Sequence, residues 1–133
     1  MIVLLDTNVL VDLARHALDP QASYGASIFS RAELEFGIRA ARSSAQAAER
    51  RRHLNDLDDR FDWIDFDLDC TRSYGLLAAH AKGRVTGSRV RGKDALIAAQ
   101  AHRHGAAVMT ANRDDFRPFE ELVQVLSPDR AKS

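Results

Sequence analysis

Acidic side chains recur at four places far apart in the chain, each beside an apolar run. Asp6 ends Ile2-Val-Leu-Leu5, Glu33 closes Ser30-Arg-Ala-Glu33, Asp94 opens Asp94-Ala-Leu-Ile-Ala-Ala99, and Asn112-Arg-Asp-Asp115 follows Ala106-Ala-Val-Met-Thr110. An isolated carboxylate in an apolar setting takes up a proton rather than keep its charge. Two carboxylates about 4 Å apart repel by roughly 4 kcal/mol at an effective dielectric near 20, so a group of them stays ionised only around a cation. A few carboxylates and waters form the all-oxygen surroundings that suit Mg²⁺ or Mn²⁺.

Taken singly, each acid has a plainer use. Asp6 can cap the helix that follows it, and Glu33 fits the capping-box pattern begun by Ser30. Asp94 can answer a helix macrodipole, and Asn112, Asp114 and Asp115 are ordinary turn residues. Their common placement is the stronger observation, and it depends on the elements between them. Ile2–Leu5 is a continuous apolar run of the kind found in strands covered on both faces. Thr7 or Asn8 then caps a helix with Val9, Leu10, Leu13 and Ala14 on its apolar side. Ala26-Ser-Ile-Phe29 reads as a second strand, Ser44 to Leu57 as a charged-faced helix, and Phe61-Asp-Trp-Ile-Asp-Phe66 as a third strand. The spacing predicts a helix from Asp69 to Lys82 with Tyr74, Leu76, Leu77 and Ala81 buried, closing at Gly83. Val85 to Gly92 is basic and glycine-bearing, hence a loop. Asp94 to His104 is apolar almost all the way round and stops at Gly105. Ala106–Thr110 and Leu122–Leu126 complete five strand candidates, and Ser127–Ser133 reads as a frayed tail.

Strands alternating with helices predict an α/β fold, a parallel sheet with helices on both faces. Ligands of such sheets bind beyond the carboxyl ends of the strands, where Asp6 and the Asn112–Asp115 stretch fall, with Glu33 in the first turn of a helix. Thr7, Asn8, Ser30 and Thr110 are candidates to hydrogen-bond and orient the carboxylates. Arg84, Arg89, Arg91 and Lys93, just before Asp94, are candidates for contacts to phosphates.

The bulk properties narrow the partners. A chain of 133 residues suits one domain with a core of its own. Nineteen basic residues balance nineteen acidic ones, so attraction to nucleic acid has to be local. Cys70 is the sole cysteine, which excludes an intrachain disulfide and a cysteine-rich zinc site. Asp6 cuts the first apolar run too short for a signal peptide or membrane span, and a cytoplasmic location is expected. The seven aspartates between Asp56 and Asp69 read as strand borders and helix caps, Arg50-Arg51-Arg52 as an exposed helix face, and Cys70 as packing.

The motifs Asp6-Thr7-Asn8, Glu33-Leu-Glu-Phe-Gly37, Asp94 to Ala99, and Thr110 to Phe116 occur in an order and spacing that resemble PIN-domain ribonucleases, in particular the VapC toxins of bacterial toxin–antitoxin pairs. The resemblance spans essentially the whole chain. It implies a single three-layer α/β/α PIN-like domain over residues 1–133, with a short, mostly parallel central sheet of about five strands. It implies a Mg²⁺-dependent endoribonuclease toxin, a cognate VapB-like antitoxin whose C-terminal segment covers the pocket, a homodimer, and a larger toxin–antitoxin complex. By position, Asp6, Glu33 and Asp94 match the family's principal acids, with Asp6 and Asp94 holding the metal and Glu33 beside it or on a second ion. Asp115 matches the acid before Phe116 and is the expected fourth catalytic acid; Asn112 and Asp114 are alternative occupants of that position. Two other readings stand beside this one. A haloacid-dehalogenase-like phosphatase would use Asp6 as nucleophile but expects a second acid where Asn8 stands, and a non-catalytic module would bind RNA or a protein through the same fold.

Overall fold

The computed structural model describes residues 1–82 and 92–130. Its strands are β1 (Ile2–Leu5), β2 (His16–Ala17), β3 (Ser23–Ser27), β4 (Trp63–Ile64), β5 (Ala107–Met109), β6 (Val125–Leu126) and β7 (Asp129–Arg130). The helices are α1 (Thr7–Val11), α2 (Ile28–Arg39), α3 (Ser44–Arg60), α4 (Leu68–Lys82) and α5 (Gly92–His104), with short 3₁₀ turns at Leu13–Arg15 and Arg113–Phe119.

Five strands form one sheet in the order β4-β3-β1-β5-β6, and every neighbouring pair is parallel. Alternate residues of a strand face opposite sides, and β1 uses this to seed two cores. Leu4 packs with Leu77, Ile97, Phe116 and Phe119 on one side, whereas Val3 and Leu5 pack with Val9, Leu10, Leu57 and Phe61 on the other. The expected five-stranded α/β/α arrangement is therefore what forms. Among the described residues, no helix is long and apolar enough to cross a membrane.

Several boundaries differ from the sequence reading, each for a local reason. Asp6, rather than Thr7 or Asn8, is the N-cap of α1, and its carboxylate accepts the Thr7 N–H at 2.9 Å. Ser27 ends β3 and caps α2 through the Phe29 N–H, so Ile28 and Phe29 are helical. Ser30 and Glu33 consequently form no capping box, and Glu33 lies in the second turn of α2. Phe61 terminates α3 and leaves only Trp63–Ile64 as strand, while Leu122 and Val123 precede β6. On α4 the buried face is Cys70, Ser73, Leu77 and Ala81; Tyr74 and Leu76 are exposed. Gly92 belongs to α5, and Gly83 with the rest of the expected loop lies outside the described residues. Asp129 and Arg130, expected in a frayed tail, pair antiparallel with His16 and Ala17. Gly105 stops α5 with φ +62°, a left-handed conformation that L side chains disfavour.

The helix carrying Glu33 is anchored by a fork of charge-assisted bonds. Arg31 Nε and Nη2 donate to the two Asp58 oxygens, each at 2.9 Å, and Trp63 Nε1 donates to Asp58 Oδ1 at 2.7 Å. The Arg31 hydrogen bond holds the Asp58 carboxyl below its ordinary range, against a partial burial that works the other way. A depressed carboxyl pKa stabilises the fold above the unfolded value, and that stability is lost as pH falls through the folded one. Asp58 is 33% exposed, so solvent screening limits the contribution to about 1 kcal/mol. Asp58→Asn is expected to cost up to that amount in urea melts at pH 7 and much less near about pH 2.5. Equal losses at both pH values would show that the charge is not the source.

Candidate functional site

In a parallel sheet, a helix that feeds a strand begins at the edge where the neighbouring strands end. β1 therefore delivers Asp6, β5 delivers Thr110, and the start of α5 delivers Asp94 to the same edge. Asp6 and Asp94 are each 2% exposed, and Thr110 is fully buried. The Asp6 N–H bonds Met109 O at 2.9 Å, which extends the β1–β5 pairing to the acid itself. Its carboxylate accepts from Thr7 N, from Thr110 Oγ1 at 2.9 Å, and from Asn8 Nδ2 at 3.3 Å.

Asn8 is needed as an amide. While Nδ2 donates toward Asp6, Oδ1 accepts the Ala111 N–H at 3.0 Å, so the side chain ties α1 to the end of β5. A carboxylate there would lose the donor and add a like charge beside Asp6. The environment of this position thus disfavours the paired acids of the phosphatase reading.

Glu33 stands at the exposed side of the pocket. It accepts from Thr7 Oγ1 at 2.8 Å, and the buried Ser30 hydroxyl lies 2.8 Å from the same Thr7 oxygen. Thr7 therefore touches Asp6 through its backbone and Glu33 through its side chain. Lys93 completes the group, with Nζ 3.1 Å from Glu33 Oε1 and 3.9 Å from Asp94 Oδ1. Burial opposes the Lys93 charge, but the Glu33 hydrogen bond and the charges of Asp6, Glu33 and Asp94 outweigh it and raise the pKa. Among the described residues, no three Asp, Glu, His or Cys side chains are close enough to form a ready-made metal cage. The donor set nevertheless fits a hard divalent ion: Asp6 and Asp94 are buried carboxylates, Asp6 and Glu33 are each held by a threonine hydroxyl, and Glu33 and Asp94 already face the Lys93 ammonium.

The last acidic stretch divides. Asn112 N donates to Thr110 Oγ1 at 3.1 Å and Asn112 Nδ2 donates to Asp115 Oδ2 at 3.1 Å, so Asp115 joins the Asp6 network through two intermediaries. Asp114 instead pairs with Arg117 at 2.6 Å with its side chain 77% exposed. Arg84, Arg89 and Arg91 lie outside the described residues, and Lys93, expected to face phosphate, is turned onto the acids. A groove of about 560 Å³ opens beside Thr7 and Glu33 and is lined also by Gly37, Gln46, Arg50 and His53. Arg50 and His53 lie outside the candidate residues of the sequence, although their three-residue spacing places them on one face of a helix.

The model of the PIN domain family matches residues 3–122. Ribonuclease VapC4 of Mycobacterium tuberculosis is 32% identical over 115 residues, covering 84% of this chain and 86% of that protein. The structure of VapBC-5 from Mycobacterium tuberculosis, a member of the VapBC family of toxin-antitoxin systems, aligns with a TM-score of 0.77 at 29% identity, covering 96% of this chain and 98% of that one. VapBC2 from Rickettsia felis, bound to a DNA fragment from its promoter, aligns with a TM-score of 0.78 over 96% of this chain and 98% of that one; at 24% identity that likeness speaks to fold alone.

Proposed function

Because the chain belongs to the PIN-domain family, among its VapC-type members, we propose that it is a Mg²⁺-dependent endoribonuclease held in check by a cognate antitoxin. The observation that carries the reading is the placement of buried Asp6 and Asp94 at the carboxyl edge of the sheet, with the Lys93 ammonium lying against Glu33 and Asp94. Asp6 and Asp94 would hold the ion, with Glu33 beside it at the open side. A divalent ion bound there supplies Lewis-acid polarisation of a phosphate and a water of lowered pKa.

The chain's own groups do the rest. Thr7 N–H, Asn8 and Thr110 fix the Asp6 carboxylate by three hydrogen bonds, which removes its freedom to rotate away from an ion. Thr7 Oγ1 does the same for Glu33, with Ser30 behind it. Asn112 holds Asp115, the fourth acid, within reach of the Thr110 end of the network. Phosphate contacts fall to Arg84, Arg89 and Arg91, a salt-sensitive and sequence-independent contribution.

The solved neighbour named as a member of the VapBC family of toxin-antitoxin systems supports a VapB-like antitoxin as partner, and we read the toxin as a homodimer within a larger toxin–antitoxin complex. The groove beside Glu33 is where an extended segment of such a partner would reach the open side of the pocket. We read residues 1–133 as one PIN-like domain acting in the cytoplasm. Purified protein freed of any partner is expected to cleave RNA from a total cellular pool with Mg²⁺ or Mn²⁺ and to stop when EDTA is added. Absence of cleavage under both metals would favour a non-catalytic binding module instead.

A further inference from the structure

The pocket carries a cation of its own, and that has a consequence for how it takes up another. Lys93 Nζ lies 3.1 and 3.4 Å from the two Glu33 oxygens and 3.9 Å from Asp94 Oδ1. Asp6 also bears on its charge. These are the carboxylates proposed to hold the metal, so the ammonium stands where the acids' charge is already being neutralised. A divalent ion on the same oxygens would sit within a few Å of it, and like charges at such separations repel strongly even in a partly screened setting. The side chain is 37% exposed, so it is not locked in and has solvent to move into.

We propose that Lys93 is an internal counter-ion of the acidic pocket, which a divalent metal has to displace from Glu33 and Asp94 in order to bind. In metal-free protein it relieves the repulsion between the acids. In metal-loaded protein its place is taken, and the metal affinity is set by the competition. Lys93 is thus a positioning residue whose charge makes the pocket dependent on the ambient metal concentration. This rests on the metal-binding reading of the pocket.

The test is Mn²⁺ binding by calorimetry to the full chain without RNA, comparing wild type with Lys93→Gln, Lys93→Met and Lys93→Arg. Gln keeps a hydrogen-bond donor for Glu33 and serves if Met fails to fold, which thermal melts in EDTA will show. Removing the charge is expected to tighten Mn²⁺ binding about tenfold or more, with Lys93→Arg close to wild type. If the neutral variants bind Mn²⁺ no more tightly than wild type, the counter-ion role is wrong although the metal site stands. If neither wild type nor the neutral variants bind Mn²⁺, the metal reading itself fails, and the inference with it.

Discussion

Asp6→Asn is expected to lower RNA cleavage by about 10³-fold or more while the protein keeps its fold. Asp6 is only 2% exposed and is held by three donors. Asparagine preserves the shape but removes the charge that would bind a divalent ion. Losing one carboxylate of three costs several kcal/mol of electrostatic stabilisation, and each 1.36 kcal/mol is about tenfold in rate. The structural cost is smaller. An amide oxygen can still accept the Thr7 N–H, and the amide nitrogen can donate to the Thr110 hydroxyl, which rotates to accept. Only the Asn8 donor is left facing another donor, at about 1–2 kcal/mol, and this is partly offset because repulsion within the pocket falls. Cleavage assays with Mg²⁺, paired with thermal melts and circular dichroism, separate the two effects. A variant that melts like wild type and cleaves RNA at the wild-type rate would remove Asp6 from the mechanism.

Phe116→Ala is expected to destabilise the protein by about 3–5 kcal/mol, a fall in melting temperature of roughly 10–20 °C for a chain of this size. Phe116 is among the largest fully buried side chains and packs in the core that also contains Leu4, Ile97 and Phe119. It sits on the 3₁₀ turn after β5, directly behind Asp115. Truncation leaves a cavity that neighbouring rings fill only in part, so the cost exceeds simple transfer from water. Urea melts give the magnitude, and a loss below about 1 kcal/mol would mean that the turn collapses to fill the space. Because Asn112 and Asp115 ride on this turn, their hydrogen bond should loosen before the β1–β5 pairing that holds Asp6 does.

Much of the site was legible because its signals are local. A run of apolar residues broken by Asp6, the glycine stop at Gly105, and the all-round apolar character of α5 each report burial or backbone geometry within a few residues. They were enough to place the acids at one edge of a parallel sheet. The cap of α2 is ambiguous in the sequence because Ser27 and Ser30 both suit an N-cap and both stand near a hydrophobic run. What decides between them is where β3 stops pairing with its neighbours, and with Ser27 as the cap Glu33 loses its structural excuse. The buried face of α4 is not legible locally for a related reason: Tyr74 and Leu76 are apolar, but the surface that α4 presents to α5 is chosen by packing.

The residue types of the pocket, the alternation of strands and helices, and the position of Asp6 at a strand end were determined by the sequence itself, since periodicity and capping act over a few residues. The strand order was not. Only the tertiary structure sets β1 between β3 and β5, and so brings Asp6 against Thr110, 104 residues away, and Thr7 against Glu33. It also turns Lys93 inward onto the acids and separates Asp114, paired with Arg117, from Asp115, held by Asn112. Side-chain direction and partner choice follow from long-range packing and from the mutual charge of groups that only the fold assembles.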